Sequence, residues 1–127
     1  MRHQRLGFTL IELLVVIVVI GILAAIAIPR FREIKGKAYM ASMKSDLRHL
    51  AIAEEVYLYS HQTYTTELDS LEFTPSPGVI ITIPEADGTG WGATSTHPNA
   101  YPHLCSIFFG EVAPVAPATS AGQVACQ

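Results

Sequence analysis

The sequence predicts an α+β fold in which one long N-terminal helix packs on a small antiparallel sheet of three to four strands. Residues 8–60 join an apolar run to a helical pattern of apolar residues. Three short strand segments follow, and their links are short enough to favour an antiparallel meander. At 127 residues the chain has the size of one domain, yet residues 8–28 are too apolar to belong to its soluble core.

The apolar segment, residues 8–28, is long enough to span a bilayer, because as a helix it would extend about 31 Å. It fits three interpretations: a cleaved signal peptide, a plain membrane anchor, or the assembly helix of a filament subunit. Arg2, Arg5 and the small residues Ala25 and Ala27 are compatible with a signal peptide. However, the apolar region of a signal peptide normally has about 7 to 15 residues and no carboxylate. The length and the presence of Glu12 therefore favour the other two interpretations.

Glu12 is the one charged residue of this segment. A carboxylate in a lipid-exposed helix costs roughly 2.5 to 3.5 kcal/mol near the bilayer centre, and less near an end, where Glu12 lies. Acidic residues inside a membrane commonly have a function and a cationic partner. Within this chain the cations in reach are the arginines before the segment, or a new α-amino group if the chain is cut just before Phe8.

Charge is distributed unevenly along the chain. Every Lys and Arg lies at or before Arg48, whereas eight of the 11 acidic residues follow it. The acids of this second part are Glu54, Glu55, Glu67, Asp69, Glu72, Glu85, Asp87 and Glu111. A region without cations cannot neutralise phosphates, which argues against nucleic-acid binding by the C-terminal part. The asymmetry also predicts that the basic span, residues 30–48, faces the acidic part of a neighbouring copy.

Residues 29–60 are predicted to continue the helix as an amphipathic segment. Its apolar stripe consists of Met40, Met43, Leu47, Leu50 and Tyr57. Its opposite face, expected to be solvated, carries Lys44, Asp46, Arg48 and Glu55. Glu54 interrupts the apolar stripe. A helix over residues 8–60 would be about 80 Å long, which suits the spine of a packed filament.

Residues 61–127 are predicted to form a globular head. Residues 61–77 have the composition of a loop, with a short turn at 68–71. The predicted strands are residues 79–83, which end at Pro84, residues 90–97, and residues 104–109. The tail from residue 110 onward carries no regular pattern.

Cys105 and Cys126 are predicted to form a disulfide, because an even count beyond a membrane segment fits an oxidising compartment. The bond would pin the tail to the third strand and contribute roughly 3 kcal/mol in the chain-entropy model. Two unpaired thiols are the alternative. A zinc site made of His97, His103 and the two cysteines has no recognised spacing. Since no catalytic arrangement or phosphate-binding loop is evident, the sequence predicts no enzyme, no metal and no cofactor.

The sequence GFTLIE at residues 7–12 follows a short basic leader and precedes sixteen apolar residues. This pattern resembles the processing and assembly signature of type IV prepilins and secretion pseudopilins. The resemblance in sequence covers residues 1–35, and beyond them only the layout is similar. It implies a pilin fold, in which half of the long helix is transmembrane before assembly and lies in the filament core afterwards.

The resemblance assigns roles to individual residues. Gly7 would be the last residue of a leader, residues 1–7, that prepilin peptidase removes, and the same enzyme would N-methylate Phe8. Glu12 would pair with the N-terminal amine of a neighbouring subunit. The stretch between Gly21 and Pro29 would lose helical order on assembly.

The function implied is that of a structural subunit of a type IV pilus, an extracellular filament for adhesion, twitching motility or DNA uptake. The alternative is a pseudopilin of a type II secretion system. Glu85, Asp87 and Glu111 do not resemble the calcium-binding loop of the main pseudopilins. Together with the cysteine pair, this favours the pilus. A membrane-anchored binding domain is the third hypothesis.

The resemblance also implies partners and a location. The partners are other copies of the chain, prepilin peptidase, an assembly platform, an assembly ATPase and an outer-membrane secretin. The precursor would lie in the bacterial inner membrane with its N-terminus in the cytoplasm. The Lys and Arg residues flanking the segment favour the opposite orientation. The cysteine pair and the larger domain beyond the segment outweigh them.

Overall fold

The computed structural model describes residues 7–127. One helix, α1, runs from Leu10 to His61, and a 3₁₀ turn follows at Leu68–Ser70. The strands are β1 (Ile80–Ala86), β2 (Gly90–Thr96), β3 (Leu104–Gly110) and β4 (Ala125–Cys126). The predicted α+β class is thus confirmed, with one long helix and a four-stranded antiparallel sheet. The chain divides into two compact units, with the boundary between Glu33 and Ile34.

In the first unit, the apolar side chains of α1 are exposed. Their exposed fractions include 82% for Leu10, 59% for Ile17 and 65% for Ile26. By length and composition, α1 is the one helix among residues 7–127 that could cross a membrane. Among the described residues of this unit, 7–33, none provides a core for these side chains, so they require another apolar environment.

In the second unit, α1 buries the predicted apolar stripe. Met43, Leu47 and Leu50 are fully buried, and their spacing of four and three residues places them on one helix face. They share one core with Trp91 of β2 and Ile107 of β3. Met40 and Tyr57, which were also predicted for this stripe, are partly buried and pack against the same core.

The sheet has the strand order β1-β2-β3-β4, and all neighbours are antiparallel. The prediction that the first strand ends at Pro84 is wrong, because β1 continues to Ala86 through an irregularity between Thr82 and Glu85. One extra residue there makes room for a proline, which cannot donate a ladder hydrogen bond. β2 and β3 lie within one residue of their predicted bounds.

The tail is partly regular, contrary to prediction. β4 pairs with β3 through Cys105 opposite Cys126, and these two residues form a disulfide. Gln127 and Leu104 exchange backbone hydrogen bonds of 2.9 and 3.1 Å. A strand of two residues is too short for a periodic signal, so a pattern search cannot find it. The expectation that Cys126 returns the tail to the third strand is confirmed.

Asp46 was predicted to lie on the solvated face of α1. This prediction is wrong, because Asp46 is buried and only 4% exposed. Its carboxylate accepts hydrogen bonds from the backbone N–H of Ser76 at 2.8 Å and from the Ser76 hydroxyl at 2.9 Å. These two bonds compensate the carboxylate for the water that it loses on burial. Asp46 therefore ties the loop between α1 and β1 to the helix.

Glu54, which interrupts the apolar stripe in sequence, is fully buried. Its Oε2 accepts a hydrogen bond from the backbone N–H of Thr65 at 3.1 Å. Its Oε1 and the indole Nε1 of Trp91 have no hydrogen-bond partner among residues 7–127. Burial raises the pKa of the Glu54 carboxyl, and the bond from Thr65 opposes part of this rise.

Two further contacts hold the same loop and the first hairpin. The Tyr64 hydroxyl donates to Glu55 at 2.9 Å, and burial, aided by this bond, raises the pKa of Tyr64 to about 12. At the turn between β1 and β2, Asp87 accepts hydrogen bonds from the hydroxyl and N–H of Thr89 and from the N–H of Gly90. These bonds lower the pKa of Asp87.

Gly36 lets the connection between β2 and β3 approach α1 closely. The N–H of Tyr101 donates to the carbonyl oxygen of Gly36 at 3.2 Å. A Cβ on Gly36 would lie 3.2 Å from the Cβ of Tyr101 and 3.3 Å from its backbone nitrogen. A side chain at this position would require the connection to give way by a few tenths of an ångström, so glycine suits this close approach.

Candidate functional site

The predicted cleavage site lies just before the helix. Gly7, Phe8 and Thr9 are outside regular secondary structure, and α1 begins at Leu10. Phe8 is 85% exposed, and no atom of residues 9–127 lies within 4 Å of the position that a Cβ on Gly7 would take. The Gly7–Phe8 bond is therefore open to an enzyme. The first six residues of the predicted leader lie outside the described residues.

Thr9 and Glu12 form a reciprocal cap at the start of α1. The backbone N–H and the hydroxyl of Thr9 each donate to Glu12 Oε2 at 2.7 Å. The N–H of Glu12 lies 3.3 Å from the Thr9 hydroxyl oxygen, which accepts its hydrogen bond. This is a capping box, with Thr9 at the N-cap and Glu12 three residues later.

The capping box was readable in the sequence as Thr-Leu-Ile-Glu at residues 9–12, but the prediction considered Glu12 only as a partner for an amine. The structure adds a local role. Glu12 compensates a backbone N–H that would lack a partner at the helix start, and the positive end of the helix dipole favours its negative charge. Its carboxylate is therefore already oriented toward the end of the chain that cleavage after Gly7 would create.

The surroundings of Glu12 are apolar. Phe8, Ile11, Val15 and Val16 line a shallow groove of about 370 Å³ together with Glu12. Glu12 is the one charged member of this lining. A partner that fits here would have to be apolar except for one cationic group near the carboxylate.

Gly21 and Pro29 both lie inside α1, which continues through them. Apart from the adjoining helix backbone, no atom of the described residues lies within 4 Å of the position that a Cβ on Gly21 would take. Proline cannot donate to the helix ladder, so Pro29 removes one hydrogen bond from this turn. Beyond Pro29, Arg30 and Glu33 form an exposed ion pair at 3.8 Å. Both positions are thus weak points of a helix that is nevertheless continuous.

The disulfide between Cys105 and Cys126 occupies both sulfurs of the zinc set considered from the sequence. His97 stacks on Tyr39 at a centroid distance of 4.1 Å, and its Nδ1 accepts a hydrogen bond from the N–H of Asn99. His103 instead lies edge-on to Tyr101. These four residues therefore have structural contacts of their own.

Comparison with known proteins identifies the N-terminal signature. The family model of the prokaryotic N-terminal methylation motif matches residues 2–28. The chain is 38% identical to the type IV major pilin protein PilA of Myxococcus xanthus over 72 residues, which are 57% of this chain and 33% of that protein. It is 37% identical to type II secretion system core protein G of Pseudomonas aeruginosa over 71 residues, 56% of this chain and 50% of that protein.

A fimbrial protein of Pseudomonas aeruginosa is 45% identical over 55 residues, which are 43% of this chain and 35% of that protein. The matched part of the chain thus spans between a third and a half of the length of these relatives. Pilins and secretion proteins both occur among them, and the long helix on an antiparallel sheet agrees with either. From its methylation motif, its relatives and its fold, the chain belongs to the type IV pilin and pseudopilin superfamily.

Proposed function

We propose that the chain is a structural subunit that is cut after Gly7, methylated at Phe8 and polymerised into a type IV pilus. One observation carries the proposal. Glu12 lies next to an exposed Gly7–Phe8 bond, at the start of a helix whose apolar side chains are otherwise exposed. Besides capping the helix, this acid lies among apolar side chains, where its charge is balanced only if a cation is brought to it.

Cleavage after Gly7 would supply that cation. A free α-amine has a pKa near 8, so it is largely charged at neutral pH, and methylation preserves the charge. Before assembly, Oε2 of the Glu12 carboxylate accepts hydrogen bonds from Thr9. During assembly, it would exchange this local bond for the charged amine of a neighbouring Phe8, which is the stronger interaction in an apolar surround.

The spacing of the two groups would set the register of neighbouring subunits. Phe8 and Glu12 are about 6 Å apart along a helix axis, so pairing across copies favours a stagger of that order before side-chain reach is added. A wrongly placed neighbour would leave a carboxylate unpaired among apolar side chains, which is heavily penalised. The pairing would therefore select one arrangement of the helices.

Each part of the chain then has a role. Residues 1–7 are the leader, residues 8–28 are the transmembrane and later the assembly helix, residues 29–60 are its amphipathic continuation, and residues 61–127 are the head. Before assembly, the membrane covers the exposed apolar side chains. After assembly, neighbouring copies cover them, at about 25 cal/mol per Å² of apolar surface. Gly21 and Pro29 would let the helix between them melt when it lengthens in the filament.

The proposed partners follow from this sequence of events. They are other copies of the chain, prepilin peptidase, an assembly platform with its ATPase, and an outer-membrane secretin. The precursor would lie in the bacterial inner membrane with its N-terminus in the cytoplasm, and the product would be extracellular. The disulfide between Cys105 and Cys126 supports a head that faces an oxidising compartment.

A pseudopilus subunit of a type II secretion system is the second candidate, because several relatives are type II secretion system core protein G. The C-terminal disulfide supports the pilus as the first candidate. Deletion of the gene separates the two. Loss of surface filaments with normal protein secretion would support the pilus, and the reverse result would support the pseudopilus.

Glu12→Ala tests the proposed function directly. We expect the variant to insert into the membrane and to yield few or no filaments, because its neighbours lose the partner for their amines. Glu67→Ala, which removes an exposed acid of the head, is the control and should assemble normally. The intact mass of the wild-type polymer should equal residues 8–127 plus one methyl group and minus the two hydrogens of the disulfide. Normal filaments from Glu12→Ala, or a polymer that retains residues 1–7, would refute the proposal.

A further inference from the structure

The second unit carries an apolar ridge on the exposed side of α1. Ile52, Val56 and Tyr59 are 63%, 62% and 88% exposed. Their spacing of four and three residues places them on one face of the helix. The other large apolar side chains that are exposed among the described residues of this unit, Ile34, Ile80 and Tyr101, lie apart from one another, whereas these three are neighbours on the helix. A ridge of this kind marks a surface that a partner covers.

Two grooves flank the ridge, and Ile52 and Val56 line both. The first groove has a volume of about 450 Å³ and is completed by Ala51, Glu55, Tyr59 and Phe109. The second, of about 410 Å³, lies between the helix and the loop residues Ser70–Phe73. A ridge between two grooves can interlock with side chains of a second helix, as in ridges-into-grooves packing.

The charges around the ridge specify the partner. Glu55 lines the first groove and Glu72 the second, and the chain contains no Lys or Arg beyond Arg48. His49 and His61 also line the second groove. A partner that matches this surface must combine exposed apolar side chains with cations, because a purely apolar one would leave the two carboxylates without counter-charges.

The chain itself contains such a surface. On α1 between residues 34 and 48, Ile34, Ala38 and Ala41 are exposed, and Ile34 is 65% exposed. These three have the same spacing as the ridge residues, 18 positions earlier. Cations accompany them at Lys37, Lys44 and Arg48. Eighteen residues correspond to about five full helical turns, so the two surfaces lie on the same side of α1, about 27 Å apart along its axis.

We propose that the ridge Ile52–Val56–Tyr59 of one copy packs against residues 34–48 of a second copy. This inference rests on the proposed function, because it names a surface by which the subunits associate. The two surfaces differ from each other, so one copy can use its ridge for one neighbour and its basic surface for another. This heterologous contact shifts the second copy by about 27 Å along the helix direction, so repeated contacts extend an assembly. The second copy is therefore a different neighbour from the one whose Phe8 pairs with Glu12 at an offset of about 6 Å.

Cysteine cross-linking in the full chain tests the contact. In the double variant Ile34→Cys/Ile52→Cys, mild oxidation of assembled filaments should give a ladder of covalent oligomers, because each copy links to two others. The two positions are too far apart on one helix to bond within a copy. Each single variant should give no ladder. If filaments form and the double variant gives no ladder, the contact is overturned, whereas processing after Gly7 and assembly, and with them the proposed function, stand.

A second pair of variants identifies the occupant. Ile20→Cys/Ile52→Cys should give no ladder, and a ladder from this pair would show that the apolar helix of another copy covers the ridge instead. Glu72→Lys should lower filament yield about tenfold, because it places a cation opposite the basic surface. Glu111→Lys makes the same charge change away from both grooves and should leave the yield unchanged. Equal yields from the two lysine variants would also contradict the contact.

Discussion

Residues 10–28 and residues 34–127 differ in the exposure of their large apolar side chains. In the first region, large apolar residues such as Leu13 and Ile17 are 61% and 59% exposed. In the second, Leu47 and Trp91 are fully buried in a core built by the helix and the sheet. The hydrophobic effect thus stabilises the head together with the helix segment that packs on it. The apolar side chains of residues 10–28 are instead left to be covered by a membrane or a neighbouring molecule.

The same division separates the acids Glu12 and Glu54. Glu12 is exposed, and its Oε2 accepts two hydrogen bonds from Thr9 at the start of the helix. Glu54 is buried, and one of its oxygens has no partner among residues 7–127. An exposed acid can change partners at little cost, whereas a buried one stabilises or destabilises the fold around it. Three predictions sharpen or contradict this comparison.

The largest effect is expected from one substitution made in both regions. Leu47→Ala should destabilise the head by about 2 to 5 kcal/mol, because it leaves a cavity in the core. Leu13→Ala removes an exposed side chain and should leave the unfolding of the head unchanged. Differential scanning calorimetry of the full chain in detergent measures both. Similar shifts from the two variants would mean that the two regions do not differ as described.

A smaller effect is expected from opening the disulfide. Cys105→Ser/Cys126→Ser should cost the head about 2 to 4 kcal/mol, since the bond closes a loop with a sequence separation of 21 residues. Membrane association of the apolar helix should not change. The double variant and the reduced wild type should unfold at the same temperature. An unchanged stability of the head would show that β4 holds the tail without the bond.

The smallest effect concerns Glu54 and pH. Its pKa is higher in the folded than in the unfolded chain, so the folded state binds the proton more tightly. The protonated Glu54 therefore stabilises the head at pH values near and below the ordinary pKa of a glutamate. This contribution should be lost as the pH rises through the raised pKa toward neutral. At still lower pH, the lowered pKa of Asp87 acts in the opposite direction.

The control for this prediction is a pair of neutral substitutions. Glu54→Gln should flatten the rise in thermal stability between neutral and mildly acidic pH, and Glu67→Gln, at an exposed position, should keep it. If Glu54→Gln retains the full pH dependence, another group causes it, and the protonation of Glu54 does not control the stability of the head.

The sequence could predict those parts of the fold that depend on local pattern. The helix, three of the four strands and the disulfide follow from apolar periodicity, from strand composition and from cysteine count, although Pro84 was wrongly taken as the end of the first strand. The burial of Asp46 and Glu54 could not be predicted, because their partners Ser76 and Thr65 lie 30 and 11 residues away in a loop without periodicity. Of the candidate site, the motif at residues 7–12 was evident in the sequence. The cap between Thr9 and Glu12 was not predicted, although the Thr-Leu-Ile-Glu spacing is a sequence signal for it.

Trp91 gives the head an optical reporter of its own. It is the one tryptophan of the chain, it is fully buried, and its ring lies 5.5 Å from that of Phe109. Its emission therefore reports the packing of the sheet and receives no tryptophan signal from the apolar helix. Fluorescence can follow the head in membranes, in detergent and in intact polymers alike, without a dye or a label.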